Sequence, residues 1–140
     1  MTRDETQKFL DRRQDAWKQR DIDALASDHA EDCVFESPLA GTVKGRAGIE
    51  QFYRELFSSF PDFALGATDF IVDGDWVVQI SQASGTDTGG FMHLPPTGKR
   101  FGFPLVLIYH LTNGLIVHQQ SVYDFTGWLM QVGVLRAKPL

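Results

Sequence analysis

A single cysteine in 140 residues excludes an intramolecular disulfide and any zinc cluster built on cysteines. Cys33 stands in the apolar stretch Cys33-Val34-Phe35 and reads as a small core residue, because a reactive thiolate needs accessible, electropositive surroundings. Clustered basic charge is also missing. The formal net charge is −5, and the densest basic group, Arg12, Arg13, Lys18 and Arg20, is interleaved with acids, so no nucleic-acid partner is expected. No apolar run approaches a membrane span, and the charged stretch 1–13 has no signal-peptide core. A cytoplasmic location without a membrane partner is the expectation. Glycine-rich dinucleotide and P-loop runs are absent. The four histidines, His29, His93, His110 and His118, show no helical zinc spacing, so neither metal nor cofactor is expected.

What remains is an apolar load. Hydrophobic residues make up 43% and the chain holds 11 Phe, which must go into a core, a pocket or an interface. The length suits one domain over residues 1–140.

Periodicity divides the chain into helices followed by strands. Phe9, Arg13, Ala16 and Trp17 recur at helical spacing over 4–19, with Thr2 or Asp4 to cap the start. Arg13 within that stripe reads as a side chain whose stem packs while its head reaches water, or as a cation at a pocket rim. Asp21 caps a short second helix to about 29. Residues 33–37 form a strand ended by Pro38, and Gly41 and Gly45 bracket a loop. Ile49, Phe52, Tyr53, Leu56 and Phe57 define a third helix over 46–59, which Pro61 stops. Strands follow at 63–72 and 76–86 around Asp73-Gly74-Asp75. After a loop at 87–99 come two long strands, 101–111 and 115–125, joined through Thr112-Asn113-Gly114. A short helix spans 125–132. This order predicts an α+β fold with helices on one side of an antiparallel sheet.

The last hairpin carries the polar residues of interest. With a three-residue loop at 112–114, His110 pairs with residue 116 and even-numbered positions share one face. That face holds Val106, Ile108, His110, Ile116, His118, Gln120, Val122 and Asp124, a mixture of apolar and ionisable groups such as a pocket wall shows. The opposite face is nearly all apolar and is expected to pack on another body, and a homodimer is expected whichever function holds. Asp124 lies between Tyr123 and Phe125. It is a candidate acid/base with a carboxyl desolvated by its neighbours, and equally a cap for the helix starting at 125. A two-residue turn would move Asp124 to the other face from His110.

Three stretches carry a resemblance. They are Phe35-Glu36-Ser37-Pro38 with Gly45-Arg46-Ala47-Gly48-Ile49 and Phe60-Pro61-Asp62; His93-Leu94-Pro95-Pro96-Thr97-Gly98-Lys99-Arg100; and Asn113 to Val117 continuing to Asp124 and Gln131-Val132-Gly133. Together they resemble the SnoaL-like polyketide cyclases, or ester cyclases, of the nuclear transport factor 2-like superfamily. The resemblance implies a cone-shaped fold, N-terminal helices packed on a strongly curved antiparallel sheet around a hydrophobic pocket. It implies cofactor-independent ring closure by an Asp general acid/base on a hydrophobic polyketide-like carbonyl compound, with Asp124 and His110 in the catalytic positions. Glu36, His118, Gln120, Ile108 and Arg13 are then the candidate substrate-binding residues. Gln119-Gln120 stands where the family has His-Trp, and Ser121 where it has an acid. Ketosteroid isomerases resemble the 36–53 region, but Ser37 and Arg13 replace their base and oxyanion tyrosine. Epoxide hydrolases would need a second Asp on the sheet. The competing readings are a non-catalytic binding module for a hydrophobic small molecule, and an interaction domain whose cavity is filled by Phe91, Phe101 or Trp128.

Overall fold

The first helix starts where the sequence offers a cap. The computed structural model describes residues 1–139, and in it α1 (Arg3–Gln19) opens on Thr2, whose hydroxyl accepts from Glu5 N while the Glu5 carboxylate accepts from Thr2 N. This reciprocal box satisfies two of the amide donors that a helix start leaves open. Arg20 ends α1 in the left-handed conformation, with φ 52°, and Asp21 caps α2 (Ile22–Ser27) by accepting from Ala24 N. Strands β1 (His29–Ser37) and β2 (Gly41–Lys44) precede α3 (Arg46–Ser59). Then come β3 (Ala64–Asp73), β4 (Trp76–Thr86), β5 (Arg100–Thr112), β6 (Leu115–Val122) and α4 (Phe125–Gln131).

The six strands form one sheet in the order β2-β1-β6-β5-β4-β3. The expected α+β class holds, and one feature of the sheet differs: β1 runs parallel to β6, so the sheet is mixed. The strand read at 33–37 begins four residues earlier, at His29, and the loop between Gly41 and Gly45 contains β2, paired antiparallel to β1. The charged pair Glu31-Asp32 concealed the longer strand; it lies where the β1 register shifts between His29 and Val34.

The β5–β6 hairpin corrects the three-residue loop. Thr112 pairs with Leu115, so the turn is Asn113-Gly114, with φ 53° and 77°. A two-residue turn with both φ positive matches the right-handed twist of the strands. A register shift beyond Leu111 and Ile116 then brings His110 opposite His118. The bulge adds one residue, so even positions face even positions after all: Ile108 opposite Gln120, and Val106 opposite Val122.

The faces are assigned by burial. Odd residues Phe103, Leu105, Leu107, Tyr109 and Gln119 are buried and form the inner face under the helices. Phe9 of α1 meets Tyr109 edge-on with ring centroids 5.8 Å apart, and Trp17 meets Tyr53 of α3 at 5.4 Å. The even face is outermost. Trp76, Ile80 and Val122 are exposed there. Among the described residues no helix is long and apolar enough to cross a membrane.

Candidate functional site

The even face is therefore not a pocket wall. His110 stacks on Trp76 across β4 and β5, centroids 4.3 Å apart and planes 5° from parallel, on the outside of the sheet. His118 Nε2 lies 2.7 Å from Glu36 Oε2, and Glu36 pairs in register with Gln120, all on that same face. Ile108 stands between them, opposite Gln120. The outer face thus assembles five of the seven predicted site residues, away from the helices.

Asp124 is not on that face. It follows the end of β6, is exposed, and caps α4 by accepting from Gly127 N at 2.9 Å. The structure does not bring Asp124 and His110 together. Arg13 is neither snorkelling nor at a rim: it is 2% exposed. Its guanidinium donates to Asp28 Oδ2 at 2.8 Å, to Leu25 O at 3.2 Å and to Tyr53 Oη at 3.1 Å. Burial works against its charge, but Tyr109, Tyr53 and Asp28 outweigh that and hold it firmly protonated. A buried charge survives only with such partners.

Two adjacent spaces remain. An open groove of about 870 Å³ runs between α3 and the 87–99 loop, with Phe52, Glu55, Phe60, Phe91, His93 and Leu94 among its walls. Inside it, between the helices and the inner sheet face, lies a cavity of about 40 Å³ whose polar groups are Ser37, Tyr53, Gln119, Ser121 and Tyr123. Leu39, Phe52 and Leu56 line both and form the neck. Aromatic side chains fill most of the remaining interior: Trp128 packs against Phe91, Phe101 and Phe103 with centroids 5.1, 5.1 and 4.8 Å away. The three side chains named above as fillers of the cavity are all buried, which reduces the expected pocket to a narrow inner chamber behind a wide groove.

The inner wall is polar for a reason traceable to neighbours. His29, at the start of β1, is buried and sits behind Gln119: its Nδ1 is 3.1 Å from Leu25 O and its Nε2 is 2.8 Å from the Gln119 amide. Burial, and then the Arg13 charge, push the His29 pKa down to about 4. Tyr123 accepts from Leu39 N at 3.1 Å, and burial pushes its phenol up to about 12. The Trp128 indole N–H is buried without a partner among the described residues, an arrangement that costs free energy until a ligand or water supplies an acceptor.

The residues missed from sequence are Gln119, Ser121, Tyr53 and Trp128. The available signal was the pair of departures from the resembled family at 119 and 121. Both turn out to lie on the inner face, where the face was read as almost wholly apolar.

The comparisons with known proteins agree with this architecture. The family model of the SnoaL-like polyketide cyclase matches residues 7–132. Among solved structures, AclR of Streptomyces galilaeus, a candidate hydroxylase, is 23% identical with a TM-score of 0.83, over 99% of this chain and 87% of that one. TsrD of Streptomyces laurentii is 24% identical with a TM-score of 0.83, over 96% and 99%. IdmH of Streptomyces antibioticus, a candidate polyketide cyclase, is 24% identical with a TM-score of 0.76, over 91% and 97%. At these identities the likeness establishes the fold. No curated protein matches.

Proposed function

The chain belongs to the SnoaL-like polyketide cyclase family, and from that premise we propose that it binds a flat, hydrophobic, polyketide-like carbonyl compound and promotes ring closure on it without a cofactor. The observation that supports this reading is that the groove and the inner cavity are adjacent, with Leu39, Phe52 and Leu56 lining both. A groove of about 870 Å³ has the size of small-molecule sites, which join apolar walls to a few convergent polar groups. The ligand's apolar body lies against Phe52, Phe60 and Phe91, and its polar end passes the neck to Gln119 and Ser121.

Ring closure in such a site draws on two effects. The groove holds the reacting ends of a flexible chain together, which replaces a search in solution by a bound geometry. Hydrogen-bond donors that line the inner cavity, the Ser121 hydroxyl and the Trp128 N–H, then stabilise charge developing on a carbonyl oxygen, a step in which Gln119 takes no part. Asp124 acts on this reading as a helix cap, because its carboxylate is exposed and held by Gly127 N.

A second reading, binding without turnover, is favoured by one observation: among the described residues no carboxylate lines the inner cavity. One experiment separates the two. The protein is incubated with an aryl 1,3-diketone able to undergo intramolecular aldol closure, with binding followed by fluorescence and dehydrated product by mass spectrometry. Leu56→Trp narrows the neck and is expected to weaken binding about tenfold or more, the loss of roughly one buried ring contact set. Binding with product supports the cyclase, and binding without product supports the second reading. Unchanged binding in Leu56→Trp, with the circular dichroism of the parent, defeats both.

A further inference from the structure

Gln119 is 2% exposed, sits on the inner face of β6 opposite Tyr109, and lines the inner cavity. The amide atom placed against His29 Nε2, at 2.8 Å, is the oxygen Oε1, an assignment that shape alone does not distinguish from the NH₂ group. The other end has no hydrogen bond to the protein among the described residues and is left to the cavity. Which end is which decides what the cavity can recognise, and His29 decides it.

The other ring nitrogen of His29, Nδ1, lies 3.1 Å from Leu25 O. A backbone carbonyl only accepts, so Nδ1 carries the proton. A second proton on Nε2 would make the ring a cation beside Arg13, whose own charge is buried and already engaged by Asp28. Asp28 has a second cation, Arg12, on its other oxygen at 2.6 Å. Burial and Arg13 keep the ring neutral at neutral pH. Nε2 is then a bare lone pair, and an amide oxygen placed 2.8 Å from it would set lone pair against lone pair. The amide fills the same volume in either orientation. Its NH₂ group therefore donates to Nε2, and its oxygen turns the other way.

We propose that Gln119 presents its side-chain carbonyl oxygen to the inner cavity, locked in that orientation by the Leu25–His29 relay, so that the site selects compounds whose buried end is a hydrogen-bond donor, a phenolic or enolic hydroxyl. The inference rests on the reading that a ligand in the groove sends its polar end through the neck. The cavity of about 40 Å³ has room for a hydroxyl, since roughly 10–15 Å³ of such space is enough to hold a water. Gln119 is a positioning and specificity residue here, and His29 acts only through it. A ligand ending in an ether or a methyl ester would leave the Gln119 oxygen buried and unmatched, which costs more than a hydrogen bond between exposed groups returns.

The test pairs 1-naphthol with 1-methoxynaphthalene, which share the apolar body and differ in the donor. Wild-type protein is expected to bind the naphthol about tenfold more tightly. In Gln119→Leu that preference is expected to vanish while the methoxy compound binds as well as before or better. Equal binding of both probes by the wild type overturns the proposal and leaves the groove reading standing. Binding of neither overturns both. Because Gln119→Leu removes the partner of a buried ring and can unfold the chain, ¹⁵N NMR of the wild type gives an independent readout. A His29 ring protonated at Nδ1 alone, with a scalar coupling from the Gln119 side-chain nitrogen to Nε2, is expected near pH 7. A proton on Nε2 overturns the proposal.

Discussion

The two faces of the sheet carry similar residue types and treat them in opposite ways. On the inner face and under it, Arg13, Asp28, His29 and Gln119 are buried and tied to one another or to Leu25 and Tyr53 by hydrogen bonds, with one end of the Gln119 amide left to the cavity. On the outer face, His110, His118, Glu36 and Gln120 stand partly in water beside Trp76, Ile80 and Val122, which are 46%, 38% and 48% exposed. The rows are regular: Trp76–His110–His118 in one, Val78–Ile108–Gln120 in the next and Ile80–Val106–Val122 in the third. Inside, polarity is fixed and its pKa values are displaced; outside, apolar surface is left without a cover. A mixture of apolar and ionisable groups on one face therefore does not by itself mark a pocket wall. An uncovered face awaiting a partner shows the same mixture.

The largest effect is expected from disturbing that outer row. We propose that the outer face joins two copies of the chain, which would bury the Ile80 row by two-fold symmetry, so that one substitution acts twice. Ile80→Asp is expected to leave the circular dichroism unchanged and to convert the dimer wholly to a monomer in sedimentation. A parent chain that sediments as a monomer at micromolar concentration breaks this side of the comparison.

Next in size is the inner network. Asp28→Asn leaves Arg13, 2% exposed, without its anion, and is expected to cost about 3–5 kcal/mol in chemical denaturation, the usual penalty for breaking a buried pair. Replacing both members, Arg13→Met with Asp28→Leu, is expected to recover much of that loss, because two apolar groups need no partner. The same substitution at the outer pair, Glu36→Gln, is expected to cost less than about 1 kcal/mol, since its groups are 31% and 43% exposed and solvent screens them.

Acid then separates the faces without mutation. The His29 pKa is lowered from 6.5 to about 4 in the folded chain, so below pH 6.5 the unfolded chain takes up a proton that the folded one does not. Stability from this group is complete above pH 6.5 and falls with pH by about 1.4 kcal/mol per unit until about pH 4. At pH 5 the loss is on the order of 2 kcal/mol. His29→Gln is expected to remove that slope from the denaturation midpoint between pH 6.5 and 4.5. An unaltered slope would place its source elsewhere.

Most of the architecture was legible because periodicity reports burial. The stripe Ile49, Tyr53, Leu56 marks α3, and alternation marks β4 and β5. The parallel contact of β1 with β6 was not legible, since nothing local distinguishes it and it depends on where α3 returns the chain. The site was legible only in part. Even parity within the hairpin came out correctly although the turn has two residues, because the bulge beyond Leu111 and Ile116 supplies the missing one. Which parity faces the helices depends on what covers each face, and that is decided by α1 packing on β3 and on Tyr109, with α3 packing on β1, rather than by the hairpin. Gln119 and Ser121, polar inside, were hidden by the strongly apolar run on β5 that they sit beside.

The smallest effect concerns Asp124, and it sharpens the comparison at the point where the faces meet. Asp124 ends the approach to α4, and its carboxylate accepts from Gly127 N. Gly127 carries no side chain there; a Cβ would collide with that same carboxylate. A cap of this kind contributes about 1 kcal/mol, and Asn serves nearly as well as Asp. Asp124→Ala is therefore expected to lower stability by about 1 kcal/mol, and Asp124→Asn to leave it nearly unchanged. The acid/base role predicts a different split: Asn, which cannot exchange a proton, would abolish turnover as fully as Ala. With the carboxylate exposed and the cavity lined by Gln119 and Ser121 instead, Asp124→Asn is expected to retain the parent's rate on the aryl diketone. Loss of turnover in that variant at full stability would return the chemistry to Asp124 and take it from the inner face.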